Sequence, residues 1–207
     1  MLILRILFLA CLPAFSFGFS VPLFIELSDK TGPAEFIIQN EDAVAHDYLL
    51  RIDETTFPDE DKKVIRGGSA IVTPDVGMVR LPAKSQRKIL INIKKGETKT
   101  ERYFEVVVTE KNIINKSVDG YDKEVRSVVL VRPVFSVLNF SMHGNKLLNS
   151  GNGSLLFMED LNCGDKMGKT ILVAPGKEIE IPLAAVGSIF SVGQQDEIKE
   201  ILNNCHQ

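Results

Sequence analysis

The sequence predicts an all-β fold made of two β-sandwich domains. Many short runs of alternating or β-branched residues follow one another along the chain. Turn-forming segments rich in Gly, Pro, Asn and Asp separate them at intervals of roughly 8–12 residues, which is typical of sandwiches. A single Arg-Pro step, Arg132-Pro133, lies directly between two of these runs and indicates where one sandwich ends and the next begins.

The predicted strands alternate clearly enough to indicate sheets with one buried face. In "EIEIPL" (178–183) the isoleucines face one side and the glutamates the other. In chain order the predicted strands are 21–27, 34–39, 47–53, 70–74, 76–81, 87–93, 102–110, 125–131, 134–140, 153–161, 170–173, 178–184 and 188–192.

Strand number favours two domains over one. About eight runs precede Arg132 and about five follow it, and one sandwich rarely holds so many strands. We therefore expect an immunoglobulin-like N-terminal domain over 21–132 and a smaller C-terminal sandwich over 133–207. Because Pro133 has a fixed φ and no N–H to donate, it predicts a short elbow and a cleft between the domains.

The C-terminal segment carries the one helix-like pattern. In "DEIKEILNNCHQ", Ile198, Ile201, Leu202 and Cys205 fall at i, i+3, i+4 and i+7. This spacing predicts a short C-terminal helix, with a final strand or a frayed tail as the alternatives.

The N-terminus has the organisation of a secretory signal peptide. Residues 1–20 contain one early charge, Arg5, then an apolar run and the small residues Gly18 and Ser20, which predicts cleavage after Ser20 and export. A membrane anchor is disfavoured by Pro13 and by an apolar run shorter than the ~20 residues of a span. Lipidation at Cys11 is a further alternative.

The two remaining cysteines fit an exported protein. Cys163 and Cys205 predict one disulfide, with two free thiols as the alternative. A metal site made of these cysteines and His206 is disfavoured, because zinc ligands usually come in closely spaced pairs.

Charge and motifs argue against nucleic-acid binding and catalysis. The net charge is −3 and there is no Trp, so neither a basic surface nor a base-stacking platform is expected. The histidines His46, His143 and His206 are isolated in turn-like or terminal sequence, and we expect them on the surface. No nucleophile elbow, zinc-protease motif or P-loop occurs, so we expect no enzyme and no cofactor.

Several segments together resemble the periplasmic pilus (fimbrial) chaperones of the chaperone–usher pathway, the PapD-like family, in a divergent form. They are "AIVTPDVGMVRLPAKSQRKILINI" (70–93), "ERYFEVVVTE" (101–110), "VVLVRPV" (128–134) and "LLNSGNGSLLFMEDL" (147–161). The resemblance implies a chaperone that caps incomplete pilus subunits by donor-strand complementation and delivers them to an outer-membrane usher. It implies protein partners only, with no stable membrane insertion.

The resemblance also implies where a subunit binds. The lending strand would lie within residues 111–131, with ordinary core packing as the alternative for its valines. The candidate donor residues are Ile113, Ile114, Val118, Tyr121, Val125, Val128 and Leu130.

The family's cleft carries two basic residues that hold the subunit's terminal carboxylate, and this chain departs from that pattern. Val128 stands four positions before Arg132, where the family has a basic residue, so Arg126 or Lys123 would have to substitute. The resemblance further implies an interdomain bridge from Arg132 to Glu101 and to an acid of the second domain. The candidates for that acid are Asp160, Asp165 and Asp196.

Two other functions remain open at this stage: a pilus subunit, or a secreted immunoglobulin-like adhesion module. A subunit would carry a free N-terminal extension before its first strand. Here strand-like sequence begins within a residue or two of the predicted cleavage point, which favours the chaperone.

Overall fold

A computed structural model of the chain describes residues 18–28, 32–59, 61–69, 71–94, 100–111, 122–182, 186–194 and 197–205. The strands of its first half are β1 (Phe19–Ser20), β2 (Phe24–Leu27), β3 (Ala34–Asn40), β4 (His46–Thr55), β5 (Val64–Arg66), β6 (Val72–Pro74), β7 (Met78–Leu81), β8 (Gln86–Ile93), β9 (Arg102–Lys111) and β10 (Lys123–Val131). Those of the second half are β11 (Phe140–His143), β12 (Lys146–Asn149), β13 (Leu155–Leu161), β14 (Lys166–Val173), β15 (Glu178–Glu180), β16 (Ile189–Gln194) and β17 (Glu197–Asn203).

The first half is a sandwich of two sheets. One has the strand order β1-β3-β8-β6, and the other has the order β2-β10-β9-β4-β5 with β7 beside β4. Strand alternation produces the core, because every second side chain points between the sheets. Buried examples from four strands are Phe36, Ile38, Ile89, Ile91, Val106, Val108, Val129 and Val131.

The second half is a smaller sandwich with its own core. Its sheets have the orders β11-β12-β15 and β14-β13-β16-β17. Phe157 and Phe190 stack with ring centroids 5.9 Å apart, next to the buried Leu147, Leu155 and Val192. Ile181, just after β15, is buried, and Glu178 and Glu180 are exposed, as the alternation predicted. The prediction of an all-β chain with two sandwiches is confirmed.

The predicted strand 134–140 is wrong for most of its length. Only Phe140 is in a strand, and the preceding residues follow the surface of the second sandwich. The side chain of Asn152 replaces strand pairing there: its Nδ2 donates to the carbonyl of Phe135 at 2.6 Å, and its Oδ1 accepts from the amide of Val137 at 2.9 Å. A side-chain amide thus satisfies backbone groups that a neighbouring strand would otherwise bond.

The predicted C-terminal helix is also wrong, because Glu197–Asn203 is strand β17, paired with β16. A register shift opposite Phe190 and Ser191 places an extra residue in β17, so that Ile201 and Leu202 both pack partly on the core. Two adjacent apolar residues are therefore both partly buried. A helix with this apolar spacing would bury the same two residues. Ile198, which the helix would have buried, is 65% exposed.

The disulfide between Cys163 and Cys205 is confirmed, with Cα atoms 5.5 Å apart. It joins the turn after β13 to the residues that follow β17. In the part of the chain that the structure describes, there is no helix with the length and apolar character needed to cross a bilayer.

Candidate protein-binding edge and interdomain cleft

One edge of strand β10 is only half covered. β10 pairs with β9 along its whole length, from Lys123 opposite Glu110 to Val131 opposite Arg102. On its other side, β2 runs parallel to it and pairs only with Val128–Val131. Within the described ranges no strand covers this edge over Lys123–Ser127, which we call the open edge. An edge of this kind is a template for the strand of another chain.

The backbone amides of the open edge have a defined direction. The N–H of Val128 donates to the carbonyl of Leu23 at 3.0 Å, and the N–H of Arg132 donates to that of Leu27 at 2.8 Å. Because successive amides of a strand point to opposite sides, the amides of Glu124 and Arg126 point to the same side as these two. They face the position that an added strand would occupy.

The side chains of β10 divide between two faces. Val129 and Val131 lie in the core of the first sandwich, and the half-buried Val125 is on the same face. Val128 lines the cleft between the sandwiches, and Leu130 is completely buried. The other predicted donor residues lie outside the described residues: Ile113, Ile114, Val118 and Tyr121.

An apolar pocket of about 270 Å³ opens between the two sandwiches, next to the end of the open edge. Phe24 and Val128 stand opposite each other in the β2–β10 register and form one wall. Leu156 and Leu172 of the second sandwich contribute to the other side, with Leu23, Pro58 and Thr170 completing the lining. Two apolar residues thus occupy adjacent strands where the resemblance led us to look for cations.

The two predicted carboxylate anchors already have carboxylate partners. Arg126 contacts Glu105 at 2.9 Å and Glu124 at 2.6 Å, and the hydrogen bond that it donates to Glu105 is the main cause of its raised pKa. Lys123 lies 3.5 Å from Glu110. Neither cation lines the cleft pocket. Each predicted anchor is thus close to a carboxylate of this chain.

Arg132 is the centre of the elbow between the sandwiches. Its side chain is fully buried, and its Nη1 lies 2.7 Å from Oε2 of Glu101. Its Nε contacts Glu26 of β2, and its Nη1 also donates to the backbone carbonyl of Ser154 in the second sandwich. A buried cation requires such partners, because an unpaired charge is costly away from water.

Glu101 contacts both halves of the chain. Its Oε2 accepts from the amide of Ser154 at 2.7 Å, and its Oε1 accepts from the hydroxyl of Tyr103 at 2.6 Å. Burial, followed by this hydrogen bond, raises the pKa of Tyr103. A Cβ added to Gly153 would overlap Nε2 of Gln194 and lie 3.1 Å from Nη1 of Arg132, so a larger residue there would require these buried side chains to move.

The second-sandwich partner in the elbow was not predicted. Ser154 fills this role with its carbonyl, its amide and its hydroxyl, which donates to Oε1 of Glu101, whereas Asp160 lies partly exposed on β13 and Asp165 is exposed. Asp196 lies outside the described residues. Backbone carbonyls and amides occur in almost every residue type, so these contacts could not be predicted from the sequence. The small residues around Ser154 in "NSGNGS" were the one indication of a close approach.

The prediction that His46 is an isolated surface histidine is wrong. Its side chain is largely buried and its Nε2 lies 2.9 Å from Oδ2 of Asp42. Turn-like sequence placed it on the surface, but the chain returns through β9 and brings Glu110 beside it. His143 is exposed, as expected, and His206 lies outside the described residues.

Comparison with known proteins identifies the fold. No protein-family profile matches the sequence, and no curated protein matches it either. Solved structures do match: CfaA, a class 5 fimbriae chaperone, gives a TM-score of 0.56 at 12% identity over 89% of this chain and 99% of its own. The E. coli chaperone DraB gives 0.55 at 13% identity over 90% and 98%.

A chain of the Salmonella enterica complex between the SafA pilin and the SafB chaperone gives a TM-score of 0.56 at 15% identity, over 90% of this chain and 96% of that one. At such low identity the similarity establishes a fold. The chain has the same two-sandwich fold as these fimbrial chaperone structures.

Proposed function

We propose that this protein is a periplasmic chaperone that caps incomplete pilus subunits by donor-strand complementation. The observation that supports the proposal most directly is the open edge Lys123–Ser127, which lies in a fold that fimbrial chaperones share. A subunit that lacks one strand exposes an apolar groove and unpaired backbone groups, and it aggregates unless both are covered. Lending an edge satisfies those backbone groups and keeps the subunit soluble.

The open edge has the backbone geometry for this role. The outward amides of Glu124 and Arg126 would donate to carbonyls of the client's strand, which extends the sheet β2-β10-β9-β4-β5 into the client. Side chains N-terminal to Val125 would enter the client's groove. The candidates there remain Ile113, Ile114, Val118 and Tyr121.

The cleft pocket would hold the part of the client next to the shared strand. Its lining of Phe24, Val128, Leu156 and Leu172 favours an apolar side chain of the client. Arg126 keeps its own carboxylate partners, so client binding in this protein would depend on apolar burial at the position where the family uses two cations.

Delivery to an outer-membrane usher completes the proposed role and requires export through a cleaved signal peptide. The position of strand β1 is relevant to where the signal peptide is cleaved. Phe19 and Ser20 pair with Asn40 and Gln39, and the ring of Phe19 lies 5.1 Å from that of Tyr48. Cleavage after Ser20 would remove this strand. The small residues Ser16 and Gly18 offer a cleavage point just before Phe19, and N-terminal sequencing of the exported protein distinguishes the two.

Co-expression with a candidate pilus subunit tests the proposed function. We expect a soluble one-to-one complex on size exclusion and native mass spectrometry, from a subunit that is insoluble when expressed alone. A subunit that stays insoluble beside the folded protein would contradict the proposal. Self-polymerisation of the protein through the open edge would instead indicate a pilus subunit.

A further inference from the structure

A cluster of three metal-ligating side chains lies at the end of the first sandwich. Asp42 comes from the turn after β3, His46 begins β4, and Glu110 is near the end of β9; one ligand atom from each lies within 4.8 Å of the others. Nε2 of His46 is 2.9 Å from Oδ2 of Asp42, and its Nδ1 is 3.7 Å from Oε1 of Glu110.

The cluster is enclosed but short of hydrogen-bond partners. The carboxylates of Asp42 and Glu110 are each 6% exposed. Oδ1 of Asp42 has no hydrogen-bond partner in the described part of the chain. Nε2 of His46 is close to Asp42 but is not oriented for a hydrogen bond with it. Because buried polar atoms are nearly always bonded, two such atoms at one place call for a bound water or ion.

Charge at this place favours a cation. Two carboxylates face one imidazole, and Lys123 approaches only Glu110, at 3.5 Å. The hydroxyl of Tyr48 is 3.5 Å from Oε2 of Glu110. Burial raises the pKa of Tyr48, and the charges of Glu110 and Asp42 raise it further, as expected where negative potential is concentrated.

We propose that Asp42, His46 and Glu110 bind a divalent transition-metal ion, with Zn²⁺ as the probe that tests it. Imidazole and carboxylate ligands suit such ions, and a set of three leaves a coordination position for water. One ring nitrogen of His46 binds a given ion, and one ligand atom from each residue lies within 4.8 Å of the others. Metal bonds of about 2.0–2.2 Å place ligand atoms a little over 3 Å apart, so the three side chains would move closer together around the ion.

The frame around the cluster is fixed by its own contacts. The amide of Asp42 donates to Oδ1 of Asn40 at 2.9 Å, and its carbonyl accepts from the amide of Lys84 at 3.1 Å. Tyr48 and Glu110 stand directly opposite each other in the β4–β9 register. An ion bound here would join β3, β4 and β9 beside Lys123, the first residue of the open edge. The site does not depend on the proposed function.

Metal binding is measured on the untagged, disulfide-bonded protein after chelator treatment, by equilibrium dialysis against Zn²⁺ with elemental analysis. Co²⁺ substitution reports ligand geometry through its visible absorption. The ligand variants are His46→Gln and Asp42→Asn. If one of them does not fold, the other still tests the site. The matched control replaces the other two histidines together, His143→Gln with His206→Gln.

We expect one Zn²⁺ per chain in the wild type and in the control, with affinity at least about tenfold weaker in both ligand variants. Circular dichroism verifies that each variant is folded. Absence of stoichiometric binding in the wild type overturns the proposal. It is also overturned if the folded ligand variants keep wild-type affinity, or if the control variant loses the metal.

Discussion

The guanidinium of Arg132 lies 2.7 Å from the carboxylate of Glu101, and both side chains are almost completely enclosed. The same two residues contact the backbone of Ser154 across the elbow. The ion pair therefore binds both the carbonyl and the amide of one residue in the second sandwich. It links the two halves of the chain through several short, buried hydrogen bonds.

Removal of the cation should destabilise the protein strongly. We expect Arg132→Met to lower the free energy of unfolding by about 3–5 kcal/mol, because the buried carboxylate of Glu101 then loses the guanidinium that pairs with it. Urea denaturation followed by far-UV circular dichroism measures the change. The matched control is Lys88→Met, which breaks the exposed pair with Glu35 and should cost less than about 1 kcal/mol. Equal effects of the two substitutions would show that the elbow pair contributes no more than a surface pair.

A side chain at Gly153 should destabilise the elbow. Gly153→Ala would place a methyl group 2.4 Å from Nε2 of Gln194 and 2.9 Å from Oγ of Ser136, and we expect a loss of about 1–3 kcal/mol. Gly77→Ala is the control, because nothing lies within 4 Å of its added Cβ, and it should stay within about 0.5 kcal/mol of the wild type. Thermal and urea unfolding of the two variants give the comparison. A stable Gly153→Ala protein would mean that the elbow is looser than its contacts indicate.

The disulfide should stabilise the second sandwich. Cys163 and Cys205 are 42 residues apart in sequence, and a crosslink that closes a loop of this size contributes about 4 kcal/mol in the chain-entropy description. The double variant Cys163→Ala with Cys205→Ala should unfold at correspondingly lower urea concentration, and reducing agent should shift the wild type to the same midpoint. An unchanged midpoint under reduction would contradict a stabilising role.

Side-chain alternation made most of the fold predictable, because a strand with one buried face has an apolar residue at every second position. It failed where side chains replace strand pairing, as Asn152 does for residues 134–139. It failed again where a bulge lets the adjacent Ile201 and Leu202 share a buried face. A helix and a bulged strand can produce the same apolar spacing over one short segment.

The site was only partly predictable, for a different reason. The Arg132–Glu101 bridge followed from the family resemblance, but its third partner is Ser154, whose carbonyl binds Arg132 and whose amide and hydroxyl bind Glu101. The resemblance led us to expect an acidic side chain there, and backbone groups cannot be predicted from residue identity. In the cluster of Asp42, His46 and Glu110, the pairing of β4 with β9 brings Glu110 to the other two residues from more than 60 positions away, so the third ligand could not be predicted from the sequence.

A proline at the open edge should separate client binding from folding. The amide of Glu124 points outward, so Glu124→Pro leaves the β9–β10 ladder intact and removes one of the β10 amides that would donate to the client's strand. We expect client affinity at least about tenfold lower and little change in stability, by titration and urea unfolding. Val125→Pro removes an amide that faces β9 and should unfold the strand instead. Glu124→Ala controls for the lost carboxylate. Wild-type client affinity in Glu124→Pro would show that the client does not pair with this edge.

Amide hydrogen exchange of residues 122–131, with and without a bound subunit, measures strand lending most directly. Donor-strand capping predicts that the amides of Glu124 and Arg126 exchange freely in the isolated protein and become strongly protected in the complex. The amides of Val125 and Ser127, which face β9, should be protected in both states. Unchanged exchange at Glu124 and Arg126 in a verified complex would show that the subunit is held elsewhere and would contradict the proposed mechanism.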